Sequence, residues 1–221
     1  MIKSSQFSDL VPQSLYGRSG SVFYSGRSAF ESPSRLYILG LNPGGSPTEQ
    51  ADETIGHHLS NWQNLPEHWS AYKDDVWRGM PAGTCGMQPR VLHMFNRLGL
   101  DPREVPASNV VFVRSNREAA LAAEKNALLQ QCWPVHRAVI DNLGSKTIVC
   151  FGGTAGSWVR GLIGADKKIG EFIEQNARRW RSEAYESSTG ERVVTVTHPS
   201  IADWRNPAAD PTPLIAEALK P

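Results

Sequence analysis

The hydrophobic residues of the chain fall into short continuous runs, separated by polar stretches rich in glycine and proline. Four such runs, rich in β-branched residues, end at positions 40, 113, 151 and 197. Apolar runs of this kind are typical of strands buried on both faces, as in a parallel sheet. Helical patterns alternate with them. The sequence therefore predicts a three-layer α/β/α sandwich around a four-stranded, mostly parallel sheet.

Helical periodicity or propensity fills the segments between these runs. We predict a core-facing helix over Pro89–Leu98, which has proline near its start and Gly99 at its end. The last strand is expected to form a hairpin, pairing 182–185 with 192–196 across a Ser-Thr-Gly turn. The other predicted helices are 119–131 with a piece beyond Pro134 to about 143, one that ends at Leu162, 167–180, and 214–219.

Two stretches carry no regular pattern. Residues 1–34 are interpreted as an irregular segment that packs its aromatic side chains onto the domain. The long connection 46–88 is acidic and rich in tryptophan and histidine. Long connections inside compact domains are often lids or binding loops, and we interpret this one as lid-like. Residues 1–221 are expected to form a single domain.

Length and composition narrow the class of protein. A chain of 221 residues can bury a core without disulfides or metal. The net charge of +1 says little about partners, although non-specific nucleic-acid binders are usually more basic. Three widely spaced cysteines suggest neither a disulfide framework nor a CxxC site. No signal peptide or membrane span is predicted, so we expect a cytoplasmic monomer without metal or cofactor.

The first segment with candidate chemistry is Leu36–Gly45. A buried strand ends at Gly40, and the chain continues Leu-Asn-Pro-Gly-Gly. Glycines allow a sharp turn and a close approach of the backbone to a ligand. In open α/β sheets, ligands bind outside the carboxyl ends of strands. Asn42 is thus a candidate functional side chain, but an ordinary strand-to-loop turn explains this stretch equally well.

A second segment, Val193–Trp204, repeats the same arrangement. A buried strand is again followed by a polar residue and proline, and here His198 takes the place that Asn42 has in the first segment. One strand end offering Asn-Pro-Gly and another offering His-Pro-Ser is a more specific pattern than either alone.

Together these motifs resemble the uracil-DNA glycosylase superfamily, over about residues 35–204. The match is closest to the mismatch-specific and single-strand-selective monofunctional branches, which have Asn in the first motif. The resemblance implies the α/β/α fold and excision of uracil or another deaminated or damaged base from DNA, in base excision repair. It also implies a base flipped out of the stack into a pocket.

The resemblance assigns roles residue by residue. Asn42 would position the attacking water, and His198 would donate a hydrogen bond to the base. Asn116, expected at the end of the second strand, would read the base edge, because an amide both donates and accepts. Turn formation by Asn116 and a buried structural role for His198 are the competing interpretations. Further substrate contacts are expected from Gly40, Leu41, Pro43, Gly44 and Ser200.

DNA contacts are expected from the loop after His198. Ile201 or Trp204 could insert into the vacated stack, although either could instead cap the core. Arg205 and the cluster 178–181 could hold phosphates or form a solvated face, and we favour the solvated face for them.

The sequence also departs from the family pattern. Relatives stack an aromatic ring on the base from the loop after the first motif, but 45–57 contains none, which leaves His57, Trp62 or no residue for this role. Three cysteines in other positions argue against an iron-sulfur cluster. The adjacent His57 and His58 are weak metal candidates, and the glycines of 152–156 lack a nucleotide-binding spacing.

These departures keep other functions open. A catalytically silent member could use the pocket to bind a nucleobase, a nucleotide or a protein. Hydrolysis of a free nucleoside or another small N-glycoside would tolerate the acidic connection better than duplex DNA would.

Overall fold

A six-stranded sheet forms the centre of the molecule. The computed structural model describes residues 4–220. The strands lie in the order β2-β1-β3-β6-β5-β4, parallel from β2 to β6 and antiparallel from β6 to β4. Their bounds are β1 Leu36–Gly40, β2 Ala107–Asn109, β3 Thr147–Phe151, β4 Ala165–Ile173, β5 Arg181–Ser187 and β6 Arg192–Val196. The mixed α/β, mostly parallel architecture is confirmed, with two more strands than expected.

Helices cover both faces of the sheet. Their bounds are α1 Ser4–Asp9, α2 Ile55–Asn64, α3 Gln88–Leu98, α4 Lys125–Leu143, α5 Gly153–Ile163 and α6 Thr212–Ala218. Alternate residues of a strand point to opposite faces. Tyr37 and Leu39 of β1 accordingly join one core cluster with α1, α2, α4 and α5, and Leu36 and Ile38 join another with α3 and α6. The strands are continuously apolar because both faces are buried.

Several predicted elements are confirmed closely. Helix α3 begins one residue before the predicted start and ends at Gly99, which adopts the left-handed conformation with φ of 67°. The hairpin is present as β5 and β6. Short-range signals were sufficient here because proline, glycine and the turn residues mark the element ends.

The helix predicted over 167–180 is wrong. Residues 165–173 form β4, the edge strand of the sheet, which pairs with β5 and contains two register shifts. Lys168 forms ion pairs with Glu171 and Glu183 on the exposed side. Charged residues are common on edge strands, where they discourage pairing with other chains. These charged residues also obscure the alternation of apolar and polar positions from which a strand is predicted.

Two other element boundaries differ from the prediction. Pro134 does not break α4, which is continuous because buried residues on both sides of the proline, such as Cys132 and Val135, pack on the sheet. A 3₁₀ segment at 118–124 replaces the start of the predicted helix. The second strand ends at Asn109, although Val110 and Val111 continue to donate hydrogen bonds to the carbonyls of Gly40 and Leu41.

The segment before β1 packs against the domain. It contains α1 and two 3₁₀ turns, at 13–15 and 27–30. Phe7, Phe23 and Phe30 are fully buried, and the ring of Phe30 contacts both of the others. Within residues 4–220, no helix combines the length and apolar character needed to span a membrane.

Candidate active site

Four neighbouring parallel strands, β2, β1, β3 and β6, end at the same edge of the sheet. The register pairs Phe151 of β3 with Val196 of β6, and Gly40 of β1 with Asn109 of β2. Because β3 lies between β1 and β6, the segments after these strands deliver the two sequence motifs to one edge. Asn42 and His198 therefore lie on either side of the turn that follows β3.

The amide of Asn42 has a fixed orientation. Its Nδ2 donates to the Pro43 carbonyl oxygen at 2.8 Å, to Ser115 Oγ at 3.0 Å and to the Val113 carbonyl oxygen at 3.5 Å. Two of these acceptors are backbone carbonyls, so the nitrogen must face them. The Oδ1 atom faces the other way, and no donor in residues 4–220 contacts it. Asn42 thus presents a hydrogen-bond acceptor that the protein leaves open.

The imidazole of His198 presents the complementary group. Its Nδ1 accepts a hydrogen bond from the backbone N–H of Ser200 at 3.1 Å and lies 2.8 Å from Ser200 Oγ. A backbone N–H can only donate, so Nδ1 is unprotonated and the proton of the neutral ring is on Nε2. Burial lowers the pKa of His198 from its ordinary value. At neutral pH the side chain is an uncharged donor through Nε2.

The turn after β3 supports this imidazole. Gly152 has φ of 98°, and a Cβ atom built there would lie 3.6 Å from Cδ2 of His198. The ring of Phe151 contacts His198 edge-on, with centroids 6.4 Å apart. Glycine is needed at position 152 because side chains rarely adopt this backbone angle.

Asn109 is a site residue that sequence reasoning missed. Its side chain packs on the backbone of Gly40, where an added Cβ atom would lie 2.1 Å from Asn109 Oδ1. The residue is buried, and its Nδ2 has no partner with hydrogen-bond geometry in the described chain, although the amide lies close to the Tyr24 hydroxyl. Burial of such a donor costs free energy unless a ligand or a water molecule accepts its hydrogen bond. The missed signal was a polar Asn that ends a strand paired with the first motif.

Comparison with known families agrees with this arrangement. The profile described as "Uracil DNA glycosylase superfamily" matches residues 28–219, most of the chain. The chain belongs to the uracil DNA glycosylase superfamily. No match was found among curated proteins. Membership in the superfamily supports a DNA glycosylase-like function in general, and it agrees with the resemblance of the two motifs.

The other residues of the first motif form a turn that hydrogen bonds hold in place. Leu41 is half-buried, Pro43 is buried and Gly44 is exposed. The carbonyl oxygen of Pro43 accepts from the Ser115 N–H at 3.2 Å, and that of Gly44 accepts from Arg114 Nη1 at 2.6 Å. The turn is thus fixed by the segment that follows β2. Asn116 belongs to this segment but is exposed and not at the end of β2, contrary to the expectation.

An aromatic row leads from His198 into the long connection. Phe151 contacts Tyr72 with centroids 6.3 Å apart, and Tyr72 contacts Trp77 at 6.3 Å. Gln88 fixes this part of the connection, because its buried Nε2 donates to the carbonyl oxygens of Ala71 and Asp75. Trp77, at the far end of the row, is partly exposed.

The aromatic candidates expected earlier in the connection lie elsewhere. Trp62 is fully buried against Phe23 and donates to the Ser25 carbonyl oxygen. His58 accepts from the Phe23 N–H and is held neutral, because burial lowers its pKa to about 4. His57 is exposed on α2. Within residues 4–220, no group of three His, Cys, Asp or Glu side chains has a metal-binding arrangement.

The two residues of the loop after His198 that were expected to insert into the base stack, Ile201 and Trp204, differ in their exposure. Ile201 is 56% exposed, whereas Trp204 is fully buried and donates to the Thr197 carbonyl oxygen. Trp204 caps the core and cannot insert into DNA from this position, which corrects that expectation. Arg205 forms a bidentate pair with Asp203. Arg90 of α3 donates to the Pro199 carbonyl oxygen and holds the loop from the side.

One large cavity does not coincide with these residues. It measures about 830 Å³ and lies at the opposite edge of the sheet, between the start of β1 and the ends of α3 and α6. Polar side chains such as His68, Arg97 and Asp101 also line the cavity. We nevertheless assign the site from the open polar atoms of Asn42, Asn109 and His198, because the two sequence motifs lie beside them and not at this cavity.

Proposed function

We propose that the protein is a monofunctional DNA glycosylase that hydrolyses the N-glycosidic bond of uracil or another deaminated base. One observation carries this proposal. The same sheet edge holds the open amide oxygen of Asn42 and the neutral N–H donor of His198. An acceptor for water and a donor for the leaving base are the two groups that hydrolysis of an N-glycoside requires.

His198 is proposed to stabilise the departing base. Negative charge develops on the base as the bond breaks, and a preorganised donor in a water-poor site stabilises that charge. The Nε2–H is available without rearrangement because Ser200 already occupies Nδ1. A neutral imidazole is sufficient for this role, so the lowered pKa is an advantage at physiological pH.

Asn42 is proposed to place the attacking water. Its Oδ1 can accept a hydrogen bond from water, while the three contacts of Nδ2 fix its direction. An amide orients water but removes a proton poorly. The transition state is expected to have oxocarbenium character, so the sugar needs little help from a strong base.

Asn109 is proposed to read the base, in the role that the sequence assigned to Asn116. A buried amide with an open Nδ2 can donate to a base carbonyl oxygen, and its Oδ1 can accept from an N–H. Gly40 leaves room for this amide. Trp77 is proposed as the ring that stacks on the base, because it ends the aromatic row that begins at His198.

Ile201 is proposed to fill the space left by the flipped nucleotide. It is exposed at the end of a loop that starts at His198, so insertion would accompany capture of the base. Ser200, Leu41, Pro43 and Gly44 are proposed to line the pocket. Arg205 remains a proposed contact to the DNA strand, whereas the base-reading role expected of Asn116 is proposed for Asn109 instead.

The acidic connection is less of an obstacle to DNA than its composition indicates. Asp74 pairs with Arg103, Glu53 with Arg114 and Glu67 with Arg27. Pairing neutralises much of the charge that would repel phosphates. The acidic composition of the connection is therefore a weaker argument against a DNA substrate. These contacts support neither hydrolysis of a free nucleoside nor a catalytically silent binding module.

The test is excision from labelled oligonucleotides that contain uracil, hypoxanthine, xanthine or thymine, single-stranded and paired. Base release that disappears in Asn42→Ala and in His198→Ala would establish the function and identify the base. Both variants should be checked for an unchanged thermal unfolding transition. Release that is equal in wild type and both variants would refute the site assignment. No release from any substrate would refute the glycosylase proposal.

A further inference from the structure

The turn between β4 and β5, residues 174–180, lies next to the loop that carries Ile201. We call it the tip loop. The Glu174 N–H donates to the Trp180 carbonyl oxygen at 2.9 Å, and the Gln175 N–H donates to the Ala208 carbonyl oxygen at 2.7 Å. The tip loop is therefore tied across itself and to the chain beyond Ile201.

A buried carboxylate stabilises this conformation. Glu174 is 1% exposed, and its Oε2 accepts from Asn176 Nδ2 at 2.8 Å and from Arg178 Nη2 at 2.9 Å. Its Oε1 has no partner in the described chain. Unsatisfied buried oxygens are rare and call for an explanation. An ordinary solvated turn would not need a buried acid.

Arg178 extends this support to the Ile201 loop. Its Nη1 donates to the Ile201 carbonyl oxygen at 2.7 Å, and its guanidinium lies over the Trp180 ring at 4.3 Å from the centroid. One side chain thus links the buried Glu174, the exposed tryptophan and the proposed wedge residue. The position of Trp180 is fixed relative to Ile201.

The outer surface of the tip loop is apolar and basic. Trp180 is 39% exposed, and Arg179 is exposed with no carboxylate within ion-pair distance in residues 4–220. Arg179 also adopts φ of 52°, a conformation that is unusual for a residue with a side chain. Residues in strained backbone conformations cluster at functional sites, and binding residues often lie on loops held by a rigid scaffold.

We propose that the tip loop is a second nucleic-acid contact surface, which holds the DNA strand beside the nucleotide that Ile201 displaces. Trp180 stacks on a neighbouring base, and Arg179 contacts a phosphate. Stacking on an aromatic ring next to a basic group is how proteins hold single strands without reading sequence. Glu174 is a positioning residue that acts through Arg178. This replaces the solvated face expected from sequence, and it rests on the proposed function for the identity of the ligand.

The experiment measures binding to a fluorescein-labelled oligonucleotide with a central tetrahydrofuran abasic analogue, by anisotropy at several salt concentrations. Arg179→Asn removes the charge, and asparagine tolerates the left-handed conformation. Its matched control is Arg35→Asn, an exposed arginine at the opposite edge of the sheet that forms no ion pair within residues 4–220. Trp180→Ala and Glu174→Gln complete the set.

Arg179→Asn should reduce the slope of log K against log salt by about 0.7 for a single strand. Trp180→Ala should weaken binding roughly 5- to 100-fold. Glu174→Gln should weaken binding with an unchanged salt slope, because it loosens the loop without removing a phosphate contact. Arg35→Asn should match wild type.

Two results would overturn the inference. One is wild-type affinity and salt slope in both Arg179→Asn and Trp180→Ala, and the other is no binding by the wild-type protein. Excision assays on the same samples separate this from the proposed function. Excision with unaffected tip-loop variants would refute only the inference, and tip-dependent binding without excision would refute only the glycosylase proposal.

Discussion

The backbone N–H of Ser200 donates to Nδ1 of His198 at 3.1 Å. This single contact, two residues along the same loop, determines which ring nitrogen carries the proton. It leaves Nε2–H as the donor that faces away from the loop. The Pro-Ser part of the motif therefore selects the tautomer of His198. The ability of His198 to donate through Nε2 depends on this part of the motif.

Excision is expected to fall at acidic pH. The pKa of His198 lies below its ordinary value of 6.5 because burial disfavours the charged ring. Protonation would place a second N–H at Nδ1, against the Ser200 N–H. Activity that depends on neutral His198 is thus present above the folded-state pKa and lost as the pH falls through it. The pH profile of kcat/KM checks this, and an increase in kcat/KM below pH 6 would contradict it.

Asn42→Ala is expected to reduce kcat roughly 10²- to 10³-fold, the effect of losing one preorganised polar group. Asn42→Asp should also lose activity, because a carboxylate would face the carbonyl oxygens of Pro43 and Val113 that now accept from the amide. Single-turnover excision measures both. Wild-type activity in Asn42→Asp would show that the amide orientation is not needed.

Gly40→Ala is expected to impair excision through Asn109. The added methyl group would lie 2.1 Å from Asn109 Oδ1 and would displace that amide. A displacement of about 1 Å can cost roughly 10²-fold in rate. The control is Gly161→Ala in α5, where nothing lies within 4 Å of the added atom. That control should keep full activity, and equal activity in both variants would remove Asn109 from the site.

The two asparagines on either side of the second hydrophobic run, Asn109 and Asn116, show how far sequence reasoning extends. The motifs at Asn42 and His198 could be placed at one sheet edge, because parallel strands end together. The exact end of β2 could not, since β2 itself is the weakly apolar Ala-Ser-Asn, and the apolar run Val110 to Val113 follows it and is also buried. The sequence prediction therefore put Asn116 at the end of the second strand, where the structure has Asn109. The pairing with Gly40 and the burial of Asn109 distinguish the two.

The pair also gives a direct test. Asn109→Ala is expected to reduce kcat/KM about tenfold or more, since its buried donor is proposed to contact the base. Asn116→Ala is expected to stay within about twofold, the usual range for an exposed substitution. Steady-state excision of the preferred base measures both. A larger loss in Asn116→Ala would restore the assignment made from sequence.

His136 is expected to make the protein sensitive to acid for a reason unrelated to catalysis. The ring is fully buried and lies between the hydroxyl of Tyr37 at 2.8 Å and the Val110 carbonyl oxygen at 3.1 Å. The carbonyl requires a proton on Nε2, so Nδ1 accepts from Tyr37. Burial lowers the pKa of His136 to about 4.

The imidazole of His136 therefore takes up a proton near pH 6.5 in the unfolded chain, but only near pH 4 in the folded chain. The free energy of unfolding should fall by roughly 3 kcal/mol between these values through this residue, and level off below. Urea unfolding at a series of pH values measures the slope, and His136→Gln should flatten it. His58 contributes in the same direction, so the variant should retain part of the slope. A slope unchanged by His136→Gln would mean that the buried ring titrates normally.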